Sequence, residues 1–200
     1  MRYALVDVGR EGASEAADGD LPTVERIASG DRQALAELYA RYRVPLFHYA
    51  LQLTADHGRA EEVLQDVFVA VWQGAQRFER RSRVQAWLFG ITRRRAWKAR
   101  RREEPEALDL AEAEAVPAPD PDPEQAILER ATYEQLAAAI EQVQPLHREI
   151  LLLSYVHELT YQEIAEILRV PMGTVKSRLS NAKRAVRALV AGWEEGGRCD

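Results

Sequence analysis

Between Glu103 and Glu124 the chain carries nine acidic side chains, five prolines and no basic residue. Proline lacks a backbone donor and disfavours helical geometry in the residue before it. Crowded carboxylates repel one another, and the stretch holds too few apolar groups to offset chain entropy. Residues 103–123 therefore read as a flexible acidic Pro-rich linker. Whatever folds must do so on either side of it, as two small units.

Both sides read as helical. From about Thr23 to Arg102, and again from Glu124 to about Ala191, apolar residues recur at helical spacing with no two-residue alternation. The expected fold class is all-α: two small helical domains, 23–102 and 124–191, the C-terminal one containing a helix-turn-helix. Residues 1–22 are polar, small and acidic and are expected to form a disordered arm; residues 192–200 are expected to be a flexible tail.

The strongest stripe of the first half is Ala60, Val63, Leu64, Val67, Phe68, Val71, Trp72 and Ala75, with Asp56 ahead of it as a cap. The opposite face carries Glu61, Glu62, Gln65, Asp66 and Gln73. Such a face is either simply solvated or a docking surface for a basic partner, and nothing local decides between the two. After the turn RFERRSR a helix is expected from about Ser82, seated by Val84, Trp87, Leu88 and Ile91. Its distal part, TRRRAWKARRR, places Arg94, Lys98 and Arg101 on one face, with Arg93, Trp97 and Arg100 beside it. Trp97 is either a platform for an unpaired base or core packing.

In the second half, Thr160-Tyr161-Gln162-Glu163 is a capping box. The helix it opens is broken at Arg169-Val170-Pro171-Met172-Gly173. A second helix follows, with Val175, Leu179, Ala182, Val186 and Leu189 inward and Lys176, Ser177, Ser180, Asn181 and Arg184 outward. Two helices joined by a short turn, the second polar and basic, make a helix-turn-helix.

The net charge of −5 conceals this arrangement. Eleven bases against one acid, Glu79, lie between Arg77 and Arg102, and five bases and no acid lie between Pro171 and Val190. Two basic islands on two units point to two polyanion-binding surfaces. No apolar run is long enough to span a membrane, the N-terminus lacks signal-peptide zoning, and the single cysteine, Cys199, has no internal partner. A cytoplasmic protein without membrane insertion is expected. His48, His57, His147 and His157 form no metal-ligand spacing with Cys199, and there is no Gly-rich phosphate loop or nucleophile elbow. No enzymatic activity, metal or cofactor is expected.

Three segments together resemble the extracytoplasmic-function (ECF) subfamily of bacterial RNA polymerase sigma factors: AEEVLQDVFVAVWQ, WLFGITRRRAWKARRR and LTYQEIAEILRVPMGTVKSRL. The resemblance implies a protein that binds core polymerase and directs promoter-specific transcription initiation. It places Glu62, Gln65, Asp66 and Phe68 on the helix that docks on the clamp helices of the polymerase's largest subunit. The second-largest subunit is a further expected contact. It places Phe78, Arg80, Arg81 and Arg83 in the loop that captures a flipped base of the −10 element. Flipping costs a few kcal/mol of stacking and pairing that a pocket must offset. Arg93, Arg94, Trp97 and Lys98 fall on the helix that reads and melts that element. Thr174, Lys176, Ser177, Arg178, Ser180, Asn181 and Arg184 fall on the helix that reads the −35 element, Thr174 suiting a phosphate contact. Double- and single-stranded promoter DNA and an anti-sigma factor are the other implied partners.

Three stretches depart from the family pattern. Arg93-Arg94 followed by Lys98 replaces a common Arg-Asn followed by Asp, and Ser180-Asn181 replaces a common His-Arg. Both change the hydrogen-bonding groups, so the promoter sequence does not carry over. Arg169 stands where glycine is frequent, which implies a cost if the position needs positive φ. The other reading is a helix-turn-helix regulator that does not bind core polymerase; it accounts for residues 124–191 and leaves the first basic helix unexplained.

Overall fold

The computed structural model of the protein describes residues 18–103 and 133–196. Among them every regular element is helical. The helices are α1 (Leu21–Ala28), α2 (Arg32–Thr54), α3 (His57–Gly74), α4 (Val84–Glu103), α5 (Tyr133–Gln142), α6 (Pro145–Leu151), α7 (Tyr161–Leu168) and α8 (Met172–Gly196). A 3₁₀ turn, Ala75–Arg77, follows α3, and a π-helical turn, Leu152–Val156, follows α6. The chain divides into two compact units; the first carries α1–α4, the second α5, α6, α8 and α7 as far as Ala165. Among the described residues no helix is long and apolar enough to cross a membrane.

In the first unit α2 and α3 start where a short polar side chain takes up orphan N–H groups. Asp31 Oδ1 accepts from Gln33 N at 2.8 Å and Ala34 N at 3.1 Å. Those bonds, the Ala34 one foremost, and the Arg26 guanidinium hold its carboxyl below the usual range. Asp56 caps α3, as expected, accepting from Arg59 N at 2.8 Å. The core is formed by Val24 and Ile27 of α1, Leu38, Leu46 and Tyr49 of α2, Val63 and Val67 of α3, and Leu88 and Phe89 of α4. Tyr49 and Phe89 meet with ring centroids 5.1 Å apart. Pro45 lies inside α2 and removes one ladder hydrogen bond. The helix tolerates it because α1, α3 and α4 all pack on α2.

The second unit is closed by Val175, Leu179, Ala182, Val186 and Val190 of α8, packed with Ala139, Ile150 and Leu153 among the buried apolar groups. Arg148 reaches back from α6 to the carbonyls of Ile140 (3.1 Å) and Glu141, orphan acceptors at the end of α5.

Several boundaries and orientations differ from expectation. The last residues of the expected arm, 1–22, are tied down. Tyr42 Oη donates to Asp20 Oδ2 at 2.5 Å, Arg41 pairs with the same carboxylate, and α1 already begins at Leu21. The basic helix starts at Val84 rather than Ser82 and takes in Glu103, the first residue of the expected linker. The last helix continues to Gly196, past the expected end at Ala191, and Val190 rather than Leu189 is its buried residue. Residues 1–17, 104–132 and 197–200, which hold most of the arm, the rest of the linker, the expected helical start near Glu124 and the tip of the tail, lie outside the described residues.

Trp72 was expected inward and is 38% exposed. Each step of four residues advances about 40° around a helix, so the series Leu64, Phe68, Trp72 drifts off the buried stripe and leaves Trp72 about 140° from the direction of Val67.

Candidate nucleic-acid interface

Two surfaces of the first unit bear on function. On α3, Glu61, Glu62, Gln65, Asp66 and Gln73 are all exposed, as the periodicity predicts. Phe68, grouped with them by resemblance, does not share their face. It is buried, and its ring meets Tyr39 edge-on at 4.9 Å. Its ring helps hold α3 on α2. The exposed face instead includes Val69 (53% exposed) and Trp72, on the same side as Glu62 and Gln65. An acidic rim around exposed apolar groups is a more specific surface than charges alone. Sequence reasoning missed Val69, although its i+4 and i+7 spacing from Gln65 and Glu62 was available.

On α4 the basic residues divide into two kinds. Arg94, Lys98 and Arg101 are exposed along one face, as expected. Arg95 and Arg100 act within the fold: Arg95 lies 3.6 Å from Asp66 of α3, and Arg100 donates to the Leu53 carbonyl of α2 at 3.3 Å. Buried Leu88, Phe89, Ile91 and Ala96 seat α4, and the other three bases face outward. Arg93 lies over the Trp97 indole, 5.2 Å from its centroid. That guanidinium already covers one face of the ring, and Trp97 Nε1 is enclosed without an acceptor. Trp97 is therefore half-buried, with one face of its ring capped by a cation.

The loop 78–83 joins the 3₁₀ turn to α4. Phe78 is half-buried, its ring against Trp87 at 4.8 Å. It forms the floor of the loop rather than a projecting platform. Arg80 has positive φ (56°) and pairs with Glu25 of α1, while Arg81 pairs with its neighbour Glu79 at 2.7 Å. Arg83 is half-buried just ahead of α4.

In the second unit the capping box is complete. Glu163 N donates to Thr160 Oγ1 at 3.3 Å, and Thr160 N to Glu163 Oε2 at 2.9 Å. Arg169 ends α7 in the left-handed region at φ 58°, the conformation that favours glycine. On α8, Lys176, Ser180 and Asn181 are half-buried and Arg184 exposed; Asn181 Oδ1 accepts from Arg184 Nη2 at 2.8 Å. Thr174 is half-buried, its N–H donating to the Pro171 carbonyl.

Ser177, expected on the outer face, and Arg178, placed by resemblance on the −35 reading helix, are both buried. Ser177 turns its hydroxyl back to the Thr174 carbonyl at 3.1 Å, as a short hydroxyl side chain in a helix readily does. Arg178 lies about 80° from the apolar stripe, close enough for its stem to run along buried surface. Lys183 Nζ sits over the Tyr155 ring at 5.5 Å.

This arrangement offers one exposed acidic and apolar helix face, one outward basic helix with a short loop at its start, and a separate helix-turn-helix. Residues 38–106 match the family model described as sigma-70 region 2, and residues 133–186 that described as sigma-70 region 4. The chain is 31% identical over 167 residues to the ECF RNA polymerase sigma factor SigL of Mycobacterium tuberculosis, covering 82% of this chain and 93% of that one. It is 23% identical to the ECF RNA polymerase sigma factor SigW of Bacillus subtilis, over 82% of this chain and 92% of that protein. Among solved structures it shares its fold with CnrH in complex with the cytosolic domain of CnrY (TM-score 0.61, 23% identity, covering 88% of this chain and 99% of that one). It shares it also with the sigma factor RpoE in complex with the anti-sigma factor NepR from Bartonella quintana (TM-score 0.57, 24% identity, covering 78% and 96%).

Proposed function

Because the chain belongs to the ECF RNA polymerase sigma factors, which direct transcription initiation, we propose a division of that work among its residues. Glu62, Gln65 and Asp66, with Val69 and Trp72, form the surface that docks on the clamp helices of the largest polymerase subunit. The loop 78–83 captures a −10 base, and Arg93, Arg94 and Lys98 engage the melted strand. Lys176, Ser180, Asn181 and Arg184 meet the −35 element from α8, with Thr174 on a phosphate. Ser177 and Arg178 shape that helix more than they read bases. The second-largest subunit completes the contact with core, in the cytoplasm.

The observation that carries this reading is the sorting of the bases on α4. Arg95 and Arg100 are tethered inward while Arg94, Lys98 and Arg101 are exposed on one face. A helix that only covered a core would gain nothing from that outward row, whereas cations in line neutralise successive phosphates. A helix-turn-helix regulator that ignores core polymerase has no use for it, nor for the first unit's family match. One structural relative is complexed with an anti-sigma factor, and we carry such a partner over to this chain.

The test is run-off transcription by purified core polymerase with and without the protein, followed by genome-wide mapping of start sites. Initiation at a defined set of promoters sharing −35 and −10 elements is expected. Transcription no more specific than that of core alone would overturn the reading.

A further inference from the structure

One short segment at the start of the first unit holds the loop 78–83 at Arg80 and fixes the residues flanking it at two further points. At the loop's far end, Val84 N donates to Asp18 Oδ2 at 2.5 Å. In its middle, the Arg80 guanidinium donates to Glu25 Oε1 at 2.5 Å while Arg80 itself sits at positive φ. Just before it, Gln76 Nε2 donates to the Ala28 carbonyl at 3.0 Å. Asp18, Glu25 and Ala28 belong to α1 and its lead-in. That segment is itself anchored, since Asp20 takes the Tyr42 hydroxyl and Asp18 Oδ1 accepts from Asp20 N at 3.2 Å.

We propose that α1 and its lead-in are the frame that presets the base-capture loop, with Asp18 and Glu25 as positioning residues for −10 recognition. The inference rests on the assignment of loop 78–83 to the flipped base. The physical ground is preorganisation. A loop of six residues with one residue in the left-handed region does not hold that shape by local preference, since only glycine adopts it without cost. A pocket for an extruded base must exist before the base arrives, or the ordering cost is subtracted from capture. Asp18 fixes where α4 begins, and so where the loop ends; Glu25 holds Arg80 in its strained conformation. Neither residue is required to touch DNA.

The test uses holoenzyme assembled from core polymerase and the full chain, on a promoter found by the start-site mapping above. Each −10 position of the non-template strand is replaced in turn by an abasic site, and promoter affinity is measured. The parent is expected to lose affinity at the captured position. Asp18→Ala and Glu25→Ala are expected to bind core as the parent does, yet to lose roughly tenfold in that base-versus-abasic discrimination. Asp18→Asn and Glu25→Gln keep an accepting oxygen and are expected to recover most of it. A purely structural role would move thermal stability and leave discrimination alone. Alanine variants that discriminate as well as the parent would overturn the frame. A parent that discriminates at no −10 position would overturn the loop assignment, and the frame with it.

Discussion

The backbone N–H of Val84, first residue of the basic helix, is taken up by Asp18 Oδ2, a side chain 66 residues earlier. Helix starts usually find their acceptor within three residues. Here the lead-in supplies it, so Asp18 does the work of an N-cap for α4. Its loss to alanine is expected to cost about 1 kcal/mol, as cap removal does. Urea unfolding followed by tryptophan fluorescence would measure it; an unchanged midpoint would show the bond to be idle.

Asp66 is exposed on α3 and pairs with Arg95 at 3.6 Å, an arrangement that contributes little to stability in solvent. Asp66→Arg is expected to change stability by less than about 0.5 kcal/mol while weakening core binding strongly. Asp66→Asn should fall between. Titration of labelled core polymerase checks this, and undiminished affinity of the arginine variant would remove the α3 face from the docking surface.

On α8, Lys176→Ala and Asn181→Ala are expected to alter preference at particular −35 bases, by about 1–3 kcal/mol for a bidentate contact. Asn181→Ala also releases Arg184, whose Nη2 it now holds, so a second base preference should shift with it. Lys183→Ala, which removes a cation from the Tyr155 ring, is expected to weaken all promoters alike. Affinities across a −35 substitution series separate the two patterns; uniform losses throughout would remove the base readers.

Burial, with the Asp18 carboxylate near it, raises the Tyr42 phenol above its ordinary value of 10.0. A raised folded value means that the unfolded chain gives up its proton first. The stabilisation is therefore complete below about pH 10 and is lost as pH climbs through the folded value. Tyr42→Phe is expected to cost about 1 kcal/mol at neutral pH, through the lost bond to Asp20, and to flatten this alkaline decline. Thermal melts between neutral pH and pH 11 would show both; equal slopes for parent and variant would contradict the assignment.

Arg169 closes α7 at φ 58° with a side chain that disfavours the left-handed region. Arg169→Gly is expected to stabilise the second unit by about 1 kcal/mol, since glycine carries no Cβ there. Calorimetry of the full chain would register it as a higher transition for that unit. A lower one would mean that the arginine side chain contributes more than its backbone costs.

Features that a few neighbouring residues decide are legible along the chain. Asp56 and the Thr160–Glu163 box predict their helix starts, because a cap and its N–H partners lie within three positions. Arg94, Lys98 and Arg101 were legible as one face, because helical spacing alone aligns them. The tertiary structure decided which arc of each helix a neighbour covers. Phe68 and Trp72 belong to one sequence stripe, yet α2 covers Phe68 through Tyr39 and leaves Trp72 exposed. Arg95 finds its partner only because the packing of α3 on α4 brings Asp66 to it. The hold of Asp18 on Val84 and of Glu25 on Arg80 spans most of a domain. A hydrogen bond over that separation leaves no periodic or local trace, because it depends on two chain segments meeting in space rather than on either segment's own preference.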